Sequence, residues 1–391
     1  MPTAITELVF QNAGVAPLEG GYTTVGQAFR PGALMPGQTL LAQIGGTSVP
    51  VQVDVRTTHP DGSVKMAALT LARPTLEPWQ EVTAELVAGG TAPAATPVSL
   101  PGVLAGHDAA LKLAIEDGRP PLSIDIDAAI SQAVALGTAS FWQKGPLATQ
   151  ARVEIPVADS SMRVVLDVTA YKDGEIRFTV GLNNDRAMED TGGRLSYVAT
   201  VTLDGETLFK QGISQGQYQR ISLDFASSDK HGIQGLGAPH EGWLNVKHDL
   251  DYLSSTNAVF PFSPDFVADP GTLRYYHDQV ADNPQWGEIL WPHHVLPAMG
   301  TTGGRPDIGF TTGPNADWLL SQDAAAAAFA LGQAKAAGYV PWNFYDQANG
   351  TVLNTDNYPR LWVDPRGGTG TPGNAGSTGL TQQVPRDMAW E

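Results

Sequence analysis

The tightest constraint on this chain is an alternation of apolar and polar residues that runs into an Asp-Gly turn and resumes beyond it. Val49-Pro50-Val51-Gln52-Val53-Asp54-Val55-Arg56-Thr57 alternates with period two, Val64-Lys65-Met66-Ala67-Ala68-Leu69-Thr70-Leu71 nearly does so, and His59-Pro60-Asp61-Gly62-Ser63 joins them. Such a period puts one face of a strand in a core and the other in water. The Asp-Gly pair favours a tight hairpin because glycine takes positive φ without steric cost.

The same signal recurs at Lys172-Asp173-Gly174-Glu175 and Leu203-Asp204-Gly205-Glu206, between apolar runs at 152–156, 162–171, 176–182, 197–203 and 219–225. A mainly β chain is expected, in three parts. Several short strands packed into residues 1–100 predict a small β-barrel, with 89–97 as a strand end or linker. Residues 101–265 predict an antiparallel β-sandwich. Residues 266–391 read as a loop-rich, mixed α/loop region with one long helix at about 321–337, which Ser321 would cap, Asp323 would favour electrostatically and Gly338 would close.

At 391 residues the chain holds enough apolar sequence for more than one core, and its 43 glycines and 29 prolines fit a turn-rich β protein. A net charge of −17 would repel nucleic acid and anionic lipid, so neither nucleic-acid binding nor membrane insertion is expected. Without cysteine there are no disulfides and no thiolate chemistry. Met1 to Glu7 has neither the basic nor the apolar part of a secretory signal, so a cleaved signal peptide is not expected. Yet few lysines beside abundant Thr, Gly, Pro, Asn and Trp is the composition of proteins that work outside cells. A virion protein released by lysis reconciles the two, with a cytoplasmic location as the alternative. Trp390, one residue from the end, reads as a chain that continues.

The richest concentration of chemistry is Gly300-Thr301-Thr302-Gly303-Gly304-Arg305-Pro306-Asp307-Ile308-Gly309, flanked by Trp291-Pro292-His293-His294 and Trp318. A ligand-facing loop is one reading. Trp291 and Trp318 would stack on sugar rings, Gly303 would allow close backbone approach, and Arg305 and Asp307 would bond hydroxyls or carboxylates. The other reading is a crossover between domains, pinned by an Arg305–Asp307 salt bridge. Uronate elimination needs a cation for the carboxylate plus an acid and a base, and His293, His294, Arg305, Tyr275, Tyr276 and His277 supply those types. For Tyr275-Tyr276-His277, a helix or strand edge packed on the sandwich is the preferred reading.

No bound metal or other cofactor is expected. Adjacent histidines diverge and lack a third at helical spacing. Calcium would find its closest carboxylate spacings at Asp249 with Asp251 and Asn354 with Asp356, which read more simply as solvated surface. Glycosidase chemistry needs a pair of carboxylates, and Asp307, Asp317, Asp346 and Asp356 offer no selected pair. Nucleophile elbow, phosphate-binding loop and dinucleotide fingerprint are all missing from the sequence.

Thr24-Val25-Gly26-Gln27-Ala28-Phe29-Arg30-Pro31-Gly32, with the hairpin from Val51 to Lys65, resembles the N-terminal barrel of the exo-rhamnogalacturonan lyase family. His248-Asp249-Leu250-Asp251-Tyr252-Leu253 resembles the end of that family's sandwich, and the segment Gly300 to Gly309 resembles the start of its α/α toroid. The resemblance implies a small barrel, a β-sandwich and a truncated toroid, and it transfers no catalytic residue. The expected function is a phage structural protein, a virion appendage or tail component, that contacts host-surface polysaccharide and assembles with other subunits as an oligomer. The alternatives are an active polysaccharide lyase on an acidic glycan and a purely structural assembly subunit.

Overall fold

The alternating runs build a mainly β protein, and the computed structural model describes residues 3–91, 95–187, 189, 191–228, 242–259, 262–263, 265–295, 311–354, 356–358, 361–362 and 378–379. Strands β1 (Thr3–Asn12), β2 (Gly21–Ala28), β3 (Gln38–Ile44), β4 (Thr47–Thr58), β5 (Val64–Arg73) and β6 (Glu81–Thr91) form one antiparallel sheet. The β4–β5 hairpin turns at His59–Ser63, where Gly62 has φ +84° and the Asp61 carboxylate accepts from the Ser63 amide. Inward positions carry Leu8, Phe10, Leu40, Leu69, Leu71 and Leu86, all buried. Each such side chain contributes on the order of 1.5–3 kcal/mol.

The chain continues through α1 (Leu100–Leu104), β7 (Ala109–Ile115), β8 (Leu122–Asp125), α2 (Ile126–Leu136), β9 (Ser140–Lys144), β10 (Ala148–Pro156), β11 (Arg163–Tyr171), β12 (Ile176–Asn183), β13 (Leu195–Leu203), β14 (Glu206–Gln215) and β15 (Arg220–Ala226). Two antiparallel sheets, ordered β14-β13-β7-β8 and β15-β12-β11-β10-β9, enclose one core that includes Leu111, Leu113, Leu166, Phe178, Tyr197 and Val201. This is the expected sandwich. Its two helices were not anticipated. In α2, Asp125 caps the amide of Ala128 at 2.8 Å and Gly137 closes the helix in the left-handed region.

Strand β16 (Leu244–His248) leaves the sandwich segment and pairs with β1, completing a sheet ordered β16-β1-β6-β3-β4-β5-β2. The two edges meet through side chains, with His248 Nδ1 donating to Gln27 Oε1 at 3.3 Å. The result is a nearly closed seven-stranded barrel. Barrel and sandwich meet along a polar seam. Gln52 of β4, buried, accepts from the amides of Leu147 and Ala148 at 2.8 and 2.9 Å and donates to the Ala148 carbonyl at 2.9 Å.

The remaining helices are α3 (Leu250–Ser255), α4 (Pro270–Ala281), α5 (Gly313–Ser321) and α6 (Ala324–Ala336). The long helix expected at about 321–337 is α6, and α5, which was not expected, precedes it. Gln322, at φ +53°, ends α5 in the left-handed region. Asp323, rather than Ser321, caps α6, accepting from Ala325 and Ala326 at 2.9 Å each, while Ser321 donates to the Asp317 carbonyl. Gly338 lies in a 3-10 turn against the Arg220 carbonyl instead of closing α6. Among the described residues no helix is long and apolar enough to cross a membrane.

Candidate functional site

Helices α4 and α6 clamp a cluster of aromatic side chains beside the Trp291–His294 segment. Asp269 caps α4, accepting from Thr272 at 2.8 Å, and Pro270 supplies a ready-made first helical position. The small residues of α6 let the rings approach, and a Cβ on Gly332 would fall 2.8 Å from Trp286 Cζ2. Trp286, Tyr276 and Phe329 are buried there, with Tyr276 and Phe329 rings 4.5 Å apart.

Consecutive residues on one helix diverge, and this separates the Tyr275-Tyr276-His277 group. Tyr276 points inward and donates to Asp317 Oδ2 at 2.6 Å; burial first, then this bond, pushes its hydroxyl pKa up. Tyr275 is 42% exposed and keeps its proton more firmly than an ordinary tyrosine because of partial burial. His277 is exposed and lies with Asp278 and Asp282, their potential ligand atoms within 4.8 Å of one another. The group therefore sits on a helix, as expected, but the helix packs on α6 rather than directly on the sandwich sheets.

His293 and His294 also part company. Both occupy positive φ, 46° and 61°, a region costly for side-chain-bearing residues, and they differ in burial. His293 is fully buried, with Nδ1 2.7 Å from the Trp291 carbonyl and Nε2 2.8 Å from that of Trp286. Burial pushes its pKa down against the raising effect of the two carbonyls, to only one of which a neutral ring can donate. Its place is that of a structural pin within the cluster. His294 faces solvent, stacks over Phe329 at 5.8 Å and 14°, and meets Trp291 and Tyr275 edge-on at 5.2 and 5.8 Å. Its Nε2 donates to Gln279 Oε1 at 3.0 Å, which leaves Nδ1 as an acceptor, and the partial cover of neighbouring rings lowers its pKa.

Tyr275 and His294 thus form an exposed shelf over Phe329, with Trp291 half-buried at its side. Trp318 is half-buried, packs against the same buried cluster and lies edge-on to His248 at 6.2 Å. Gly303, Arg305 and Asp307 fall outside the described residues. Phe329 and Gln279, which support the shelf, escaped the sequence reading, although Phe329 is the lone aromatic in an alanine-rich run. In the spacings considered for calcium, Asp249 accepts from the Tyr252 amide at 2.9 Å and Asn354 from the Asn357 amide at 2.9 Å.

A cavity of about 270 Å³ lies elsewhere, on the sandwich, lined by Leu104, His107, Asp108, Asp125, Asp127 and Ser131. Burial, then the charges of Asp125 and Asp108, push up the pKa of Asp127 against the bond it accepts from the Ala109 amide. Three carboxylates would repel a uronate. Compared with models of known protein families and with curated proteins, the chain matches none.

Proposed function

We propose that this protein is a glycan-contacting component of a larger assembly, a phage virion appendage or tail component that meets host-surface polysaccharide. The observation that carries the reading is the Tyr275–His294–Trp291 group, whose Tyr275 and His294 rings are exposed and pack on Phe329, with Trp291 half-buried beside them. Aromatic faces already packed in place take up the C–H faces of sugar rings with little ordering cost. Exposed Phe266, Val267 and Trp342, at 70%, 82% and 67%, support a role beside other subunits, since large apolar side chains in water favour contact surfaces.

A second reading, elimination on an acidic glycan, is favoured by one feature of the same shelf. His294 is held neutral and Tyr275 protonated, the states that a base and an acid require, with rings 5.8 Å apart. Incubating the purified chain with acidic polysaccharides, including rhamnogalacturonan, separates the two. Retention without new ultraviolet absorbance, lost in Tyr275→Ala/His294→Ala, supports the contact role. Absorbance from an unsaturated uronate identifies a lyase. Neither signal leaves the purely structural subunit.

A further inference from the structure

Two β-bulges, in different sheets, aim two side chains at each other across the barrel–sandwich seam. On β9, Gln143 pairs with Gln150 and Phe141 with Ala151, leaving Trp142 unpaired on the edge strand of its sheet. On β4, Val55 pairs with Ala67 and Thr57 with Met66, leaving Arg56 unpaired. A bulge turns its extra residue out of the ladder and is a recurrent device for presenting a side chain. Here the Arg56 guanidinium lies 5.1 Å from the centre of the Trp142 ring, with Arg152 at 5.8 Å. Beside them the Lys144 ammonium stands 4.7 Å from the Phe141 ring. Trp142 and Phe141 remain 48% and 37% exposed.

The charges at this seam are unequal in availability. Arg152 is committed to Asp167 through two bonds of 2.8 and 2.7 Å. Asp54 accepts from Gln52, Gln143 and the Lys144 amide at 2.7, 3.2 and 3.3 Å. Arg56 and the Lys144 ammonium have no anionic partner among the described residues. The chain, at −17 overall, thus presents uncommitted cations together with exposed rings.

We infer that this seam is a subsite for a carboxylated sugar of an anionic polysaccharide. The Arg56 fork takes the carboxylate, Lys144 adds a second positive charge, and Trp142 with Phe141 covers the apolar sugar faces. Two uncommitted cations suit one carboxylate per sugar, whereas a phosphodiester chain brings denser charge against a strongly acidic protein. The inference shares the glycan chemistry of the proposed function but uses none of its residues.

The test is calorimetric titration of the full chain with polygalacturonate oligomers at low salt. Neutral dextran oligomers and single-stranded DNA serve as comparisons, and sedimentation is run in parallel. The expected result is polygalacturonate binding that weakens at least about tenfold in Arg56→Gln and in Trp142→Ala, equivalent to about 1.4 kcal/mol. Arg56→Lys should fall between, because charge is kept and the fork is lost, and Tm should be unchanged in all three. Binding should also fall as salt is raised to 0.5 M. Unchanged affinity in both Arg56→Gln and Trp142→Ala, DNA bound as tightly as the glycan, or no polygalacturonate binding by the parent chain would each overturn it. So would dimers that Trp142→Ala dissociates while glycan affinity stays the same, which would make the seam a contact between copies. Loss confined to Tyr275→Ala/His294→Ala would overturn the seam and leave the proposed function standing; loss confined to the seam variants would support the seam and remove the shelf.

Discussion

Arg163 donates through Nε and Nη2 to the two oxygens of Asp185, at 2.8 and 2.9 Å, and the Asp185 side chain is wholly buried. Arg220 donates to the same carboxylate at 2.5 Å, Glu154 accepts from Arg163 Nη1 at 2.5 Å, and the Arg163 guanidinium lies 3.5 Å from the Tyr345 ring centre. This network fastens the segment around Tyr345 to the sandwich. Asp185→Asn removes the charge that two guanidiniums face, and it should cost about 3–5 kcal/mol. Urea unfolding measures this. A loss below about 1 kcal/mol would mean that the network is solvated.

Gly145 sits against Gln52 so closely that a Cβ would fall 2.4 Å from Gln52 Cδ. Gly145→Ala should therefore displace the amide that satisfies Leu147 and Ala148 and destabilise the seam by about 1–3 kcal/mol. Gln52→Ala should cost a similar amount. Because both act through one amide, the double variant should cost less than the sum, and additivity in a double-mutant cycle would refute the shared cause.

Stability should fall on mild acidification. Burial lowers the pKa of His248, His293 and His294, so the unfolded chain takes up these protons first as pH drops. The contribution is complete above the unfolded value of about 6.5 and is lost as pH falls from there to the lowered folded values. His248→Gln, which can still donate to Gln27, should lose less Tm between pH 7 and pH 5.5, by roughly 2 °C. An identical pH profile would mean that His248 has the same pKa in the folded and unfolded chain.

Support and surface should separate in the aromatic shelf. Phe329, 2% exposed, carries the rings above it, so Phe329→Ala should cost about 3–5 kcal/mol. Tyr275→Ala, at the 42% exposed face, should cost less than about 1 kcal/mol. Equal costs in thermal unfolding would show that Tyr275 is core.

What was legible in the sequence follows from local rules. Alternation around Asp54 and Thr70, and the Asp-Gly pairs at Asp61, Asp173 and Asp204, determined the strands and hairpins, because side-chain period and turn conformation depend on near neighbours. The barrel, the sandwich and a helical C-terminal part followed from their order. Long-range pairing decided the rest. It brought β16 back to β1, where Leu8 faces His248. It turned Arg56 and Trp142 out of their ladders by register shifts that neither strand encodes alone. Ser321 and Asp323 competed for one helix start, and the left-handed turn at Gln322, whose side chain also bonds the His248 amide, settled it for Asp323. His293 and His294, equivalent in the sequence, became a buried pin and an exposed ring because the backbone there turns through positive φ against Trp286 and Phe329. Periodicity sets which face of an element is apolar, whereas packing sets which neighbour covers that face, and therefore which side chains remain free to meet a ligand.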